Sequence, residues 1–299
     1  MKWERLGRIF HVDALYNWMH SHATLPIPVH QKDDIFRIYF NTRDTKNRSH
    51  GAFVDINLKF PTKPIAVSKE SVISPGEIGL FDDCGVTLSC FNRDNGLFYY
   101  MGWNLMQTVP FSNQIGAAKF KGEKLEKFSK HPIFGKCEEE PLSFGYPWVL
   151  KHNNFYHMWY DTILEWKDNS TTNYRFILRS ATSENGKDWS RSLHTGFHFN
   201  DNECAIARPC VLFEDQIFKM WYSINNNGIY KLGYAESKDG LNWVRKDELA
   251  GLSPSGDSWD SEEISYPYVF DHKGERFMLY NGNKYGKTGF GIAKLLSTA

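Results

Sequence analysis

The chain has 299 residues, with 35 Lys+Arg balancing 35 Asp+Glu, and so carries no formal net charge. That balance argues against a nucleic-acid or anionic-membrane surface, whose affinity needs clustered positive charge. The length suits one large closed β domain or two ordinary domains, and an evenly spread internal repeat favours a single domain over 1–299.

From the start of the chain, Trp3–Val12 reads as a lone strand, and Asp13–His20 as a short helix. A pattern then recurs five times: an apolar run, a polar turn, and a second aromatic run. Its copies are Leu25–Phe40, Cys84–Trp103, Gly145–Tyr160, Ala207–Tyr222 and Ser265–Tyr280. In four copies a proline precedes a tyrosine by 13 residues: Pro26 and Tyr39, Pro147 and Tyr160, Pro209 and Tyr222, Pro267 and Tyr280. Each pair is followed by a third alternating run, at Gly51–Phe60, Gln114–Phe128, Phe176–Trp189, Tyr230–Trp243 and Thr288–Leu295. Asn185-Gly186 and Asp239-Gly240 mark tight turns, each followed three residues after the glycine by Trp189 or Trp243. Trp159, Trp189, Trp221 and Trp243 recur with the repeat and so read as core.

A repeat of paired short strands cannot bury its faces alone, so the copies must pack together. Five copies predict an all-β five-bladed β-propeller with four-stranded antiparallel blades. The fifth copy runs out of chain after three strands. The N-terminal strand is expected to complete it and so close the ring and remove its free edge. Five cysteines, an odd number, read as reduced thiols and suggest a cytoplasmic protein. Neither C-x-x-C nor H-E-x-x-H occurs, so no metal or other cofactor is expected.

With Trp18-x-x-x-His22 near the start and Gly79-x-Phe-Asp-Asp-x-Gly-Val86 in the second copy, the chain resembles the five-bladed propellers of glycoside hydrolase families 32, 43, 62, 68 and 130. Its likeness is greatest to uncharacterised members found in bacterial surface-polysaccharide gene clusters. The resemblance implies a funnel on the axis, with acids at the starts of the innermost strands. Some relatives hold calcium there.

Asp82, Asp83, Glu203, Glu262 and Glu263 stand at those strand starts in copies two, four and five. Asp83 is expected as base or orienting acid, Glu203 as general acid, and Glu262 or Glu263 as a third carboxylate. Such chemistry needs one protonated carboxyl and one ionised carboxylate, with their pKa values pushed apart. His22, Arg43, Asp44, Asp82, Trp103, Asp161, Arg208, Tyr266 and Asn283 are expected to bind substrate at the same mouth. Glu138–Glu140 reads as a solvated charge run. The first copy has His-Ala-Thr-Leu-Pro where the resembling hydrolases carry an Asp, and Asp83 is followed by Cys84 rather than proline. The expected function is therefore cleavage or transfer of a glycosyl unit of a carbohydrate or activated-sugar substrate. Phosphorolysis or glycosyl transfer from a sugar phosphate or nucleotide sugar is one alternative, and a non-catalytic sugar-binding propeller is another.

Overall fold

A computed structural model describes residues 1–168, 174–194, 196–200 and 202–297. Alternation of apolar and polar side chains produces twenty strands among these residues. After the lone β1 (Lys2–Phe10) the strands fall into antiparallel groups in chain order. The first holds β2 (Ser21–Lys32), β3 (Ile35–Arg43), β4 (Ser49–Asn57) and β5 (Ala66–Val67). The second holds β6 (Gly85–Asn92), β7 (Leu97–Leu105), β8 (Phe111–Lys121) and β9 (Lys124–Lys127). The third holds β10 (Phe144–His152), β11 (Phe155–Trp166), β12 (Tyr174–Ser183) and β13 (Ser190–Ser192). The fourth holds β14 (Glu203–Glu214), β15 (Ile217–Asn226), β16 (Ile229–Ser237) and β17 (Val244–Arg245). The last holds β18 (Ser265–His272), β19 (Glu275–Asn281) and β20 (Phe290–Ser297), and β1 pairs with β20 to complete it.

The first strands of successive groups touch one another in chain order, and β18 packs back against β2. One large apolar cluster draws side chains from every group. Trp159, Trp221 and Trp243 are buried in it, and Trp189 packs against it. Asp13–His20 does not form the expected helix. It is a turn closed by a bridge between Tyr16 and Met19, because no helical apolar face is available to bury.

The prolines have a shared purpose. Each follows a residue in the left-handed region: Leu25 (φ 52°), Tyr146 (φ 44°), Arg208 (φ 56°) and Tyr266 (φ 56°). Each such pair sits in a β-bulge of the first strand, which re-aims the side chain before the proline. A non-glycine residue there costs about 1–2 kcal/mol, so neighbours must hold it. The preceding group does so with the last inward residue of its second strand. Asn281 Oδ1 accepts from the Leu25 N–H at 2.8 Å, and Ser223 Oγ accepts from the Tyr266 N–H at 2.8 Å. In the proline-free second copy, Asn41 Oδ1 accepts from the Leu88 N–H at 2.6 Å.

The first copy is one residue out of phase with the others. Ile27, just after Pro26, pairs with Tyr39, whereas Trp148 pairs with Trp159 and Cys210 with Trp221. Phe40, packed on Phe10 and Phe290, therefore takes the place held elsewhere by Tyr100, Tyr160, Tyr222 and Tyr280. Those four hydroxyls donate to carboxylates, buried except for the half-buried Asp247: Tyr100 to Asp82 (3.2 Å), Tyr160 to Glu140 (2.7 Å), Tyr222 to Asp247 (2.6 Å) and Tyr280 to Asp260 (3.0 Å). A cation neutralises each acid: Lys127, Arg179 with Arg191, Arg245 and Arg5 respectively. Glu140 is thus a buried framework acid rather than part of a solvated run, while Glu138 and Glu139 are exposed.

Candidate active site: an aromatic pocket over a buried carboxyl

A cavity of about 450 Å³ opens where the first strands converge. Much of its wall is aromatic: Trp103, Phe111, Tyr146, Tyr174, Phe176, Tyr230, Tyr266 and Tyr285 line it, with His22, Arg43, Asn47, Thr87 and Asn113 as polar members. Tyr146 and Tyr266 reach it because their bulges turn them inward. Tyr285 reaches it from a turn over residues 283–286, itself in left-handed conformation (φ 58°). The rings form a continuous wall, with centroids 5.7 Å apart for Tyr230 and Tyr266, 5.6 Å for Tyr146 and Tyr266, and 5.3 Å for Tyr266 and Tyr285. The hydroxyls of Tyr146 and Tyr285 lie 3.1 Å apart. Flat faces with hydroxyl rims suit a ligand with apolar C–H faces and many hydroxyls.

Arg43, at the end of β3, stands 5.3 Å from the Trp103 ring centroid and 5.8 Å from that of Tyr285. Its Nη1 donates to the Asn47 carbonyl at 3.0 Å, and no carboxylate pairs with it among the described residues. Trp103 is itself fixed by donation from Nε1 to Ser49 Oγ at 2.7 Å. His22 lies beside Tyr285 with Nδ1 2.9 Å from Ser21 Oγ. Burial first, then the charges of Arg43 and Lys287, lower its pKa to about 4, so its imidazole is neutral at physiological pH.

The four acids expected to do the chemistry are absent from the lining. Glu203 is clamped by Arg245, which donates to both its oxygens at 2.7 and 2.8 Å, and it also accepts from the Asn200 N–H. Burial pushes its pKa up, but Arg245 and that amide outweigh burial and leave it below the usual value. Asp83 sits in a rim turn, accepting from the Gly79 N–H (3.0 Å) and Asn104 Nδ2 (2.7 Å). Its pKa is likewise lowered, since these donors overcome its partial burial. Glu262 is exposed. Glu263 is buried behind the wall, where its two oxygens accept from the N–H groups of Tyr230 (3.2 Å) and Tyr285 (3.3 Å). Asn283 Oδ1 in turn accepts from the N–H groups of Glu262 and Glu263. Glu263 and Asn283 therefore fix the loops that carry two pocket tyrosines.

The expected binding residues divide in the same way. His22, Arg43, Trp103 and Tyr266 line the cavity. Asp82 belongs to the Tyr100 and Lys127 cluster. Asp44 holds its own turn, accepting from the N–H groups of Lys46 and Arg48, from Arg48 Nε, and at 3.2 Å from His50 Nε2. Arg208 is completely buried, 5.8 Å from the Trp148 ring and 5.7 Å from that of Tyr268. Its Nη1 donates to the Pro209 carbonyl, and its Nε and Nη2 have no partner. Asp161 is also completely buried, and among the described residues neither of its carboxylate oxygens makes a full hydrogen bond, although its own and the Arg208 backbone N–H groups lie close enough to act on it. Burial raises its pKa to about 8, against the opposing pull of its own and the Arg208 backbone N–H groups and of the Arg208 charge. Asp161 pairs with Gly145, the residue before the pocket-lining Tyr146, but is not itself part of the lining.

Tyr146, Tyr174, Tyr230 and Tyr285 were not expected from the sequence, because the acids at the strand starts drew attention from the aromatic residues. The signal for Tyr146 was available: it precedes the repeat proline, as Arg208 and Tyr266 do. Among the described residues no group of three or more His, Cys, Asp or Glu side chains is placed to hold a metal ion.

The backbone has the fold of the glycoside hydrolase-like β-propellers. It matches a glycosyl hydrolase from Bacteroides ovatus (TM-score 0.74, 14% identity, covering 98% of this chain and 93% of that one). It also matches the BT0996 protein of an RGII complex (TM-score 0.72, 16% identity, 97% and 90% covered). A structure described for the family 130 mannoside phosphorylases and hydrolases aligns similarly (TM-score 0.71, 14% identity, 98% and 93% covered). No family model matches the sequence. The chain belongs to the family of the uncharacterized protein MT1551 of Mycobacterium tuberculosis (strain CDC 1551 / Oshkosh), with 41% identity over 300 residues and 99% of both chains covered. Protein Rv1502 of the same species, also uncharacterized, is equally similar at 41%.

Proposed function

We propose that the chain is a carbohydrate-active enzyme, built as a closed five-bladed propeller, that cleaves or transfers a glycosyl unit in the axial pocket. One observation carries this reading: an aromatic-walled concavity, rimmed by Arg43 and His22, opens at the converging first strands. Ring faces would stack on the sugar, and tyrosine hydroxyls and Asn113 would meet its hydroxyls. Arg43, paired with no carboxylate among the described residues, would meet an anionic group, and so favours a sugar phosphate, a nucleotide sugar or an acidic glycan as substrate. The known glycosidic chemistry of proteins with this fold supports the same substrate class. Five unpaired thiols support a cytoplasmic location.

Asp83, Glu203 and Glu263 remain proposed site acids of the scheme, but their partners give each a framework task that stands without catalysis. That observation favours a second reading, a propeller that binds sugar and has no turnover. A panel of nitrophenyl glycosides, sugar phosphates and nucleotide sugars decides between them, with calorimetric binding and product formation both measured. Binding and turnover that Trp103→Ala and Arg43→Ala both weaken are expected. Binding without turnover selects the second reading, and a ligand unaffected by either substitution removes the pocket from the function.

A further inference from the structure

We propose that the substrate of the axial pocket is an amphiphile, a sugar joined through a phosphate to a long hydrocarbon chain, and that the chain lies along the hairpin between β7 and β8. This inference rests on the glycosyl-handling function just given. It starts from strand register. Trp103 pairs with Asn113, and Leu105 with Phe111, so these four side chains stand on one face of the hairpin. That face lines the cavity. Going outwards, it changes from polar to apolar. Trp103 is half-buried and stands beside Arg43. Leu105 is 69% exposed, and Met106 at the tip is 47% exposed. The Pro110 carbonyl accepts from the Met106 N–H at 3.5 Å, and Pro110 also lines the cavity. At about 3.4 Å per residue, the apolar strip reaches roughly 10 Å beyond Trp103.

The hairpin is fixed from both sides. On its other face, Asn104 Nδ2 donates to the Leu80 carbonyl at 2.6 Å and to Asp83 Oδ1 at 2.7 Å. On the cavity face, Phe111 packs on Trp166 and Tyr174, with ring centroids 5.0 and 6.0 Å away, in a small apolar cluster separate from the large one. A supported element thus presents exposed aliphatic side chains at the edge of the pocket. A sugar has no use for them. Its C–H faces stack on rings and its hydroxyls seek polar groups, and Leu105 and Met106 supply neither. A hydrocarbon chain does use them, because covering apolar surface removes it from water. Charge narrows the occupant further. Arg43 lies 5.3 Å from the Trp103 ring and 5.8 Å from the Tyr285 ring, and so between the strip and the tyrosine wall. A phosphate at Arg43 would put the sugar among the tyrosines and the chain over Leu105 and Met106.

The test is calorimetry on the full chain with matched ligands, each below its micelle concentration. They are the ethyl and decyl esters of the panel's sugar 1-phosphates, with decyltrimethylammonium as a cationic control. The parent is expected to bind the decyl ester about tenfold or more tighter than the ethyl ester. Leu105→Ser combined with Met106→Asp should bring that ratio to within about twofold of one, whereas Arg43→Ala should weaken both esters and leave the ratio standing. The parent alone already decides, whatever becomes of the variants. Equal affinity for the two esters overturns the proposal, and so does a decyltrimethylammonium ion that binds as tightly as the decyl ester. A chain preference that survives in the folded double variant overturns it too. Sedimentation of the parent without ligand is expected to show no self-association through the strip, and a dimer that Met106→Asp dissociates would give the strip to a second copy instead. Sugar phosphates that bind or turn over with no gain from the chain refute this inference and leave the glycosyl-handling function intact. If no sugar ligand of either kind binds, both fall.

Discussion

The carboxyl of Asp161 has a thermodynamic consequence that needs no substrate. In the unfolded chain it ionises near its ordinary pKa of 3.8, and in the fold near about 8. Between those values the unfolded state has lost a proton that the native state keeps. Stability must then fall as pH rises, by about 1.4 kcal/mol per pH unit from this group alone. By pH 7 the accumulated loss is on the order of 4 kcal/mol. Asp161→Asn removes the titration. Parent and variant are expected to be close in stability at pH 4, with the variant increasingly the more stable towards pH 8. At about 2–4 °C per kcal/mol, the variant should melt roughly 10 °C above the parent at pH 7. Urea unfolding of both proteins at pH 4.5, 6 and 7.5 measures the difference directly. A gap between them that does not change with pH would refute the reasoning, because it would mean that the carboxyl ionises alike in both states.

Other substitutions probe the framework and the pocket. Glu203→Gln leaves the half-buried Arg245 with Asp247 and the His198 carbonyl, and should cost about 1–3 kcal/mol. Because the native pKa of Glu203 is lowered, its contribution is present above the unfolded value of 4.5 and lost as pH falls, so parent and variant should converge in acid. If Glu203 is only a framework acid, turnover per folded molecule survives that change. Gly233→Ala would put a Cβ 2.5 Å from the Tyr222 ring on the neighbouring strand and should destabilise by about 1–3 kcal/mol in thermal unfolding. Arg43→Ala should weaken the panel ligand about tenfold or more, and most for ligands with a phosphate or carboxylate, as read by calorimetry. His22 stays neutral above about pH 4, so ligand affinity should be flat between pH 5 and 7 where the ligand itself does not titrate.

Much of the fold was written in the repeat, because strand pairing follows from period-two alternation and the turn residues between runs. The N-terminal strand joins the last group as expected. The phase error in the first copy was invisible, since the step from Pro26 to Tyr39 matches the others while a bulge shifts the pairing beneath it. The pocket was half legible. Arg43, Trp103, His22 and Tyr266 could be placed from their positions at strand ends. The acids misled because sequence gives their position along a strand, and not the partner waiting for them. Arg245 lies 42 residues from Glu203, and the backbones held by Glu263 lie 33 residues before it and 22 after it. Asp161, expected at the mouth, is instead fully buried and outside the lining.

The pairing of β1 with β20 also sets an order of events. Four groups are built from contiguous chain and can assemble as each leaves the ribosome. The fifth draws on β1 and β20, whose paired residues include Lys2 and Ser297. Until β20 emerges, β1 has no partner, and β18 and β19 form a hairpin with one open edge. Completion of the fifth group is therefore a late event, in which β1 must still be free to meet β20. A bulky fusion ahead of Lys2 would burden that step more than it would burden the finished molecule.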